Sequence, residues 1–149
     1  MGNAPLPANR VMSGAFKERG RADVVMIDVL PIHDGDQVRL TFESQASSWR
    51  QGVWLSTDSH LVVSQQQSPS VQLWQDSAPT EVLIECHTKN GCLHLYNIWD
   101  KGNGRESQSW TSGMLVEELP NGRRYRCNDI GFETDFDKLV FRLERLGTK

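Results

Sequence analysis

Cys127-Asn-Asp-Ile-Gly-Phe-Glu-Thr-Asp-Phe-Asp-Lys-Leu-Val-Phe-Arg-Leu-Glu-Arg-Leu146 reads two ways, and the choice between them sets the fold class. Phe136, Leu139, Val140, Leu143 and Leu146 recur at the spacing of a helical stripe. Thr134 is placed to cap such a helix, Asp135 and Asp137 suit its first turn, and Gly147 follows its end. As a strand, the same stretch points Leu139, Phe141 and Leu143 to one face and Lys138, Arg142 and Glu144 to the other. Periodicity taken alone leans slightly to the helix.

The rest of the chain speaks for strands. In Gln37-Val-Arg-Leu-Thr-Phe-Glu43, Val38, Leu40 and Phe42 share one face, while Gln37, Arg39, Thr41 and Glu43 share the other. Leu93-His-Leu-Tyr-Asn97 repeats the alternation. Short apolar runs at Val24–Val29, Val38–Phe42, Val53–Leu55, Leu61–Val63, Val71–Trp74, Val82–Cys86, Leu93–Ile98, Met114–Glu117, Arg123–Cys127 and Leu139–Leu143 are separated by turn-forming residues. Gln67-Ser-Pro-Ser70 is among the expected turns. Lys89-Asn-Gly91 and Pro120-Asn-Gly122 carry the Asn-Gly signal of tight hairpins. So many short strands, with no recurring helices, predict an all-β, antiparallel β-sandwich of jelly-roll or galactose-binding-like type over residues 23–149. Residues 1–22, broken by Pro, Gly and Arg, read as a disordered N-terminal arm.

Asn128-Asp129 followed by Asp135-Phe-Asp-Lys-Leu-Val-Phe141 resembles the closing strand of the bacterial calcium-dependent galactophilic (PA-I-type) β-sandwich lectins. Val29-Leu-Pro-Ile-His-Asp-Gly-Asp-Gln-Val-Arg-Leu40 is similar to the entry strand of such domains. The resemblance covers two short segments and none of the middle. It implies the strand reading of 134–146, a sandwich fold, a Ca²⁺ site from Asn128, Asp129, Asp135 and Asp137, and a carbohydrate ligand. The early-loop tyrosine of that family has no counterpart, because the two tyrosines here are Tyr96 and Tyr125.

The acidic loop is also legible without the resemblance. Clustered Asp and Asn oxygens suit a hard cation, although the spacing does not follow an EF-hand, and the same residues commonly bond their own backbone in turns. The second candidate is the glycine-punctuated loop from Tyr96 to Gly113, bracketed by two tryptophans. Trp99, Asp100, Asn103, Arg105 and Trp110 offer flat apolar faces with polar groups between them, as a sugar site requires. His87 and His94, with Cys86 and Cys92, flank the Asn90-Gly91 turn and are brought together if that turn closes a hairpin. No nucleophile elbow, phosphate loop or zinc-protease pattern names a reaction.

The chain has 149 residues, enough for one domain with its own core. A net charge of −3 argues against nucleic acid, and no window has the length of a membrane span. Three cysteines without a CxxC pattern suit a reducing compartment. With neither a leader nor a myristoylation pattern, the expectation is a cytoplasmic protein, with leaderless export open to it. The sequence thus predicts a non-catalytic, calcium-assisted binding module for glycans or a similar polar ligand. The alternative is a protein-interaction or structural β-domain, self-association into a homo-oligomer included.

Overall fold

A computed structural model describes residues 6–148. The elements in chain order are β1 (Val11–Met12), α1 (Gly14–Glu18), β2 (Val25–Pro31), β3 (Asp36–Gln45), β4 (Arg50–Val63), β5 (Gln66–Trp74), β6 (Glu81–His87), β7 (Cys92–Asp100), β8 (Arg105–Ser107), β9 (Gly113–Leu119), β10 (Gly122–Asn128) and β11 (Leu139–Thr148). The ambiguous C-terminal stretch is the strand β11, paired to β10 on one side and β3 on the other. Phe136, the first residue of the helical stripe, is buried with φ of +53° just before that strand begins, in backbone that no helix continues.

The fold is all-β, but the jelly-roll sandwich is not formed. The strands run β2-β9-β10-β11-β3-β6-β4-β7 and return to β2, so the sheet closes into an eight-stranded antiparallel barrel. Strands β1, β5 and β8 are added to β2, β4 and β7 respectively. The physical reason lies in bent strands. Asp28↔Leu95 and Pro31↔Cys92 continue into Asp36↔Cys86 and Thr41↔Glu81, so β2 and β3 run end to end along β7 and β6. Strand β4 likewise changes partner from β7 (Ser56↔His94) to β6 (His60↔His87) across its break at Thr57–His60. Elements that turn such corners belong to two parts of one sheet, and the edges that a sandwich would leave apart meet instead.

The corner explains a second correction. Lys89-Asn-Gly91 closes no hairpin; it is the bend where β6 passes into β7 along a shared partner. Cys86 and Cys92 are therefore free and separately paired, Cys86 against Leu61 and Cys92 against Pro31. His87 and His94 are kept apart in the same way. The true tight connections are Pro120-Asn121, between paired Leu119 and Gly122, and Ser64-Gln65, between β4 and β5. Ser64 and Gln65 both take positive φ (50° and 66°), the twist a two-residue hairpin requires, without the usual Gly or Asn. Gln67–Ser70, expected as a turn, lies within β5. Gly122 is required by crowding, since a Cβ there would stand 1.8 Å from the Leu143 carbonyl oxygen.

Alternation fills the barrel. Val38, Leu40, Val53, Leu55, Ile84, Leu93, Leu95, Tyr125, Phe141 and Leu143 are fully buried, and the Tyr125 and Phe141 rings stack at 4.9 Å. Each such side chain contributes about 1.5–3 kcal/mol by leaving water. On the outer face of β3, β9, β10 and β11, the chain of ion pairs Glu117–Arg124–Glu43–Arg142–Glu144–Arg39 neutralises most of the arginines there.

Residues 6–22 are ordered in the structure, contrary to the expected arm; residues 1–5 lie outside the described residues. Ser13 caps α1, Phe16 packs into a small second core with Val24 and Phe136, and β1 joins β2. The arm also seals the weakest part of the barrel. Strands β2 and β9 share a single register pair, Val25↔Met114. Beyond it the seam is held by side chains. The fully buried Asp28 accepts hydrogen bonds from Arg10 Nε (2.7 Å), Tyr125 Oη (2.6 Å) and Arg123 (3.0 Å), and Arg123 also donates to the Val29 carbonyl.

Burial opposes the Asp28 charge, but the Arg10 and Tyr125 hydrogen bonds and the arginine charges outweigh it, so its carboxyl titrates below the ordinary value. A depressed folded-state pKa gives stability that is present above the unfolded value, about 3.9, and is lost as pH falls through the folded one. Urea unfolding of Asp28→Ala is expected to show a loss of about 3–5 kcal/mol at neutral pH, because the fully buried Tyr125 hydroxyl loses its acceptor and Arg123 keeps only the exposed Glu118 and the Val29 carbonyl. The gap to wild type should narrow below about pH 4.

Candidate functional site

The residues singled out from the sequence separate into three groups. Asn128 and Asp129 are buried where β10 leaves the barrel. Asn128 Nδ2 donates to the Thr111 and Gly131 carbonyls, each at 2.8 Å, and Asn97 Nδ2 donates to the Asn128 carbonyl. Asp129 accepts from Gln51 Nε2 (3.0 Å), Ser47 Oγ (3.1 Å) and the Ile130 amide (2.7 Å). These side chains tie the β10–β11 crossing to the end of the barrel. Close by, Gln51 Oε1, Trp99 Nε1 and Asn128 Oδ1 are buried without a hydrogen-bond partner among the described residues.

Asp135 and Asp137 lie elsewhere, lining a polar surface cleft of about 320 Å³ with Glu133, Thr134 and Lys138. The four proposed oxygen ligands are thus divided between a buried hydrogen-bond hub and a surface cleft. Among the described residues no group of three or more His, Cys, Asp or Glu side chains is arranged to hold a metal. Asn128 and Asp129 spend their side chains on the local backbone and on the barrel end.

The proposed sugar-binding set is divided as well. Trp99 is fully buried opposite Gln51, whereas Trp110 is 71% exposed, so the two indoles share no surface. Asp100 Oδ1 accepts the Gly102 and Gly104 amides and shapes the β7–β8 turn, on which Asn103 is exposed. Arg105 is exposed opposite Asp100 at the start of β8. Among the described residues, therefore, the bracketed loop does not bring Trp99 and Trp110 to one face, and the four proposed oxygen ligands are not gathered in one place. The other tryptophans pack half-buried on the outside: Trp54 stacks on Tyr96 at 4.5 Å, Arg50 covers Trp74, and Lys101 lies over Trp49.

The histidines beside Lys89–Gly91 are not brought together either. His94 is buried and bonds the Pro7 carbonyl of the arm. His87 stacks on its register partner His60 at 4.5 Å, and its Nε2 lies 2.7 Å from Glu85. That hydrogen bond, with the charges of Glu85 and Asp34, raises the His87 pKa.

The sequence reading missed the main surface feature. Two contiguous clefts, of about 570 and 640 Å³, run along β5 and share Val63, Ser64, Gln72 and Leu73. The first reaches Trp74, Ala78, Pro79, Val82 and Leu83. Among the described residues β5 is paired only to β4. Strand β6 is paired to β3 over Glu81–Cys86 but to β4 only over Glu85–His87, so Glu81–Ile84 is open on its other side. The two clefts form one slot walled by side chains of β5, of the β5–β6 connection and of β6, with core side chains in its floor, since Val63, Val71, Leu73 and Ala78 border the main core. The signal was the Gln66–Trp74 run itself: a long polar strand, ending in alternating Val71 and Leu73, that has more length than the barrel can use.

No helix among the described residues is long and apolar enough to cross a membrane. Replacing Asp129 by Ala is expected to cost about 2–3 kcal/mol in urea unfolding, because buried donors on Gln51 and Ser47 lose their acceptor. The double change Asp135→Asn, Asp137→Asn should stay within about 0.5 kcal/mol of wild type. No protein-family model, no characterised protein and no solved structure matches the chain.

Proposed function

We propose that the chain is a non-catalytic binding domain that takes an extended polypeptide segment of a partner into the slot between β5 and β6. The observation that carries this reading is an apolar-floored slot beside two stretches of strand, β5 and Glu81–Ile84 of β6, that among the described residues are hydrogen-bonded on one side only. Unpaired amides and carbonyls along a strand edge are satisfied by another strand, whereas a lipid or a sugar meets few of them. The floor favours a segment with apolar residues at alternate positions, one side chain entering between Leu73, Ala78 and Val82 and the next facing out beside Leu83. Because the barrel interior is filled by its own side chains, binding falls to the outside of the barrel.

Selection from a random-peptide display library against the whole chain tests the reading. Enriched peptides should alternate apolar and polar residues. Fluorescence anisotropy should show at least about tenfold weaker binding to Leu83→Arg, a change at a position already 53% exposed, and no change for Arg126→Ala on another face. If the partner segment belongs to a second copy, light scattering will show a dimer that Leu83→Arg dissociates. Failure to enrich any peptide from a strictly monomeric protein, or binders indifferent to Leu83→Arg, would refute it.

A further inference from the structure

A second cleft, which shares no residue with the slot, lies where α1 faces the loop after β8. It measures about 370 Å³ and is lined by Gly14, Ala15, Glu18, Met26, Gln108, Ser109 and Trp110. The loop presents its indole on a braced turn. The Ser112 amide and hydroxyl both donate to the Ser109 carbonyl, at 3.1 and 2.9 Å, so Trp110 projects from a closed turn. The Ser109 hydroxyl reaches the backbone carbonyl of the buried Asp129, and Gln108 takes φ of +52° to enter the turn. A large indole left 71% exposed on such a support does not serve the core.

The opposite wall supplies a charge. Glu18 is the one ionisable side chain lining the cleft, and it makes no ion pair or hydrogen bond among the described residues. The neighbouring Arg19 is engaged elsewhere, 3.8 Å over the Phe132 ring. Small residues at Gly14 and Ala15 leave the space between carboxylate and indole open, and the Met26 thioether adds a soft apolar surface. An aromatic face and an unpaired carboxylate lining one open cleft attract the same guest, a cation that carries its charge on or beside C–H groups. An anion would be repelled by Glu18. A neutral guest would gain nothing from its charge.

We infer that the Trp110–Glu18 cleft binds an organic cation, an alkylated ammonium or the ammonium-bearing side chain of a lysine. The indole would meet the C–H shell, and Glu18 would balance the charge from the other wall. The inference stands on this cleft alone and does not depend on the β5–β6 slot.

The test is an NMR titration of the whole chain, following the five indole N–H resonances, with that of Trp110 identified by its loss in Trp110→Phe. The probes are tetramethylammonium chloride and Nα-acetyl-lysine methylamide; the neutral controls are neopentyl alcohol and a methyl galactoside. Both cations should shift the Trp110 resonance saturably. The affinity should fall about tenfold in Glu18→Gln, read at the Trp110 resonance, and vanish in Trp110→Ala, read at the methyl resonance of Met26 in the same cleft, two changes at exposed positions that leave the fold intact. Tighter binding of the lysine amide than of tetramethylammonium would point to a polypeptide source for the cation, and the reverse to a small alkylated amine. The inference is overturned if no cation shifts the resonance saturably, if Glu18→Gln binds as tightly as wild type, or if either neutral control binds equally well.

Discussion

One buried carboxylate holds the barrel shut. Where β2 and β9 have only Val25↔Met114 in register, the backbone cannot close the ring by itself, and Asp28 takes over with Arg123, Tyr125 and Arg10. A fully buried charge is tolerable only when its partners are fixed in place. Here they come from two elements: β10, which supplies Arg123 and the stacked Tyr125, and the N-terminal arm, which supplies Arg10. The arm is thereby part of the fold. Its Arg10, its Phe16 in the second core and its Pro7 carbonyl on His94 are three independent attachments along one face.

The barrel's other constraint is the bend. Strands β4, β2–β3 and β6–β7 each turn a corner and serve two parts of the sheet. Bending has a local cost in unpaired backbone, which nearby side chains offset. The Thr57 hydroxyl donates to the His87 carbonyl, and Asp58 accepts from the Lys89 amide and the Thr88 hydroxyl, binding the two corners to each other. The same bend leaves the first half of β6 open opposite β5. The slot is thus a by-product of how the ring is closed, and its floor is continuous with the core.

Much of this was legible in the residues. Gln37–Glu43 and Leu93–Asn97 showed which side chains face inward, because a period of two is a property of the strand itself. Every apolar run read from the sequence falls in a strand, apart from the single residue Val24, and Leu139–Leu143 is a strand despite its helical spacing. What was not legible was where edges meet. Lys89-Asn-Gly91 has the composition of a hairpin yet makes a corner, since the partner strand and not the turn decides its path. Ser64-Gln65 makes a hairpin without any of the customary residues, held by the long β4–β5 pairing around it. At the site, residue type suggested ligands in Asn128, Asp129 and Trp99, and burial turned all three into structure. Trp110, of the proposed sugar-binding residues, stands in a cleft with Glu18, and Glu18 was hidden because its proximity arises from the arm folding back.

Closure of the ring also has a consequence in time. Strand β3 waits for β11, the last described strand to be synthesised, before its second side is covered, and β2 waits for β7 and β9. Through most of synthesis, alternating segments such as Val38–Phe42 have one edge unsatisfied, and long-range pairings of this kind form slowly. On the ribosome the chain therefore passes through a prolonged stage in which it is adhesive, and nascent-chain chaperones would meet it there.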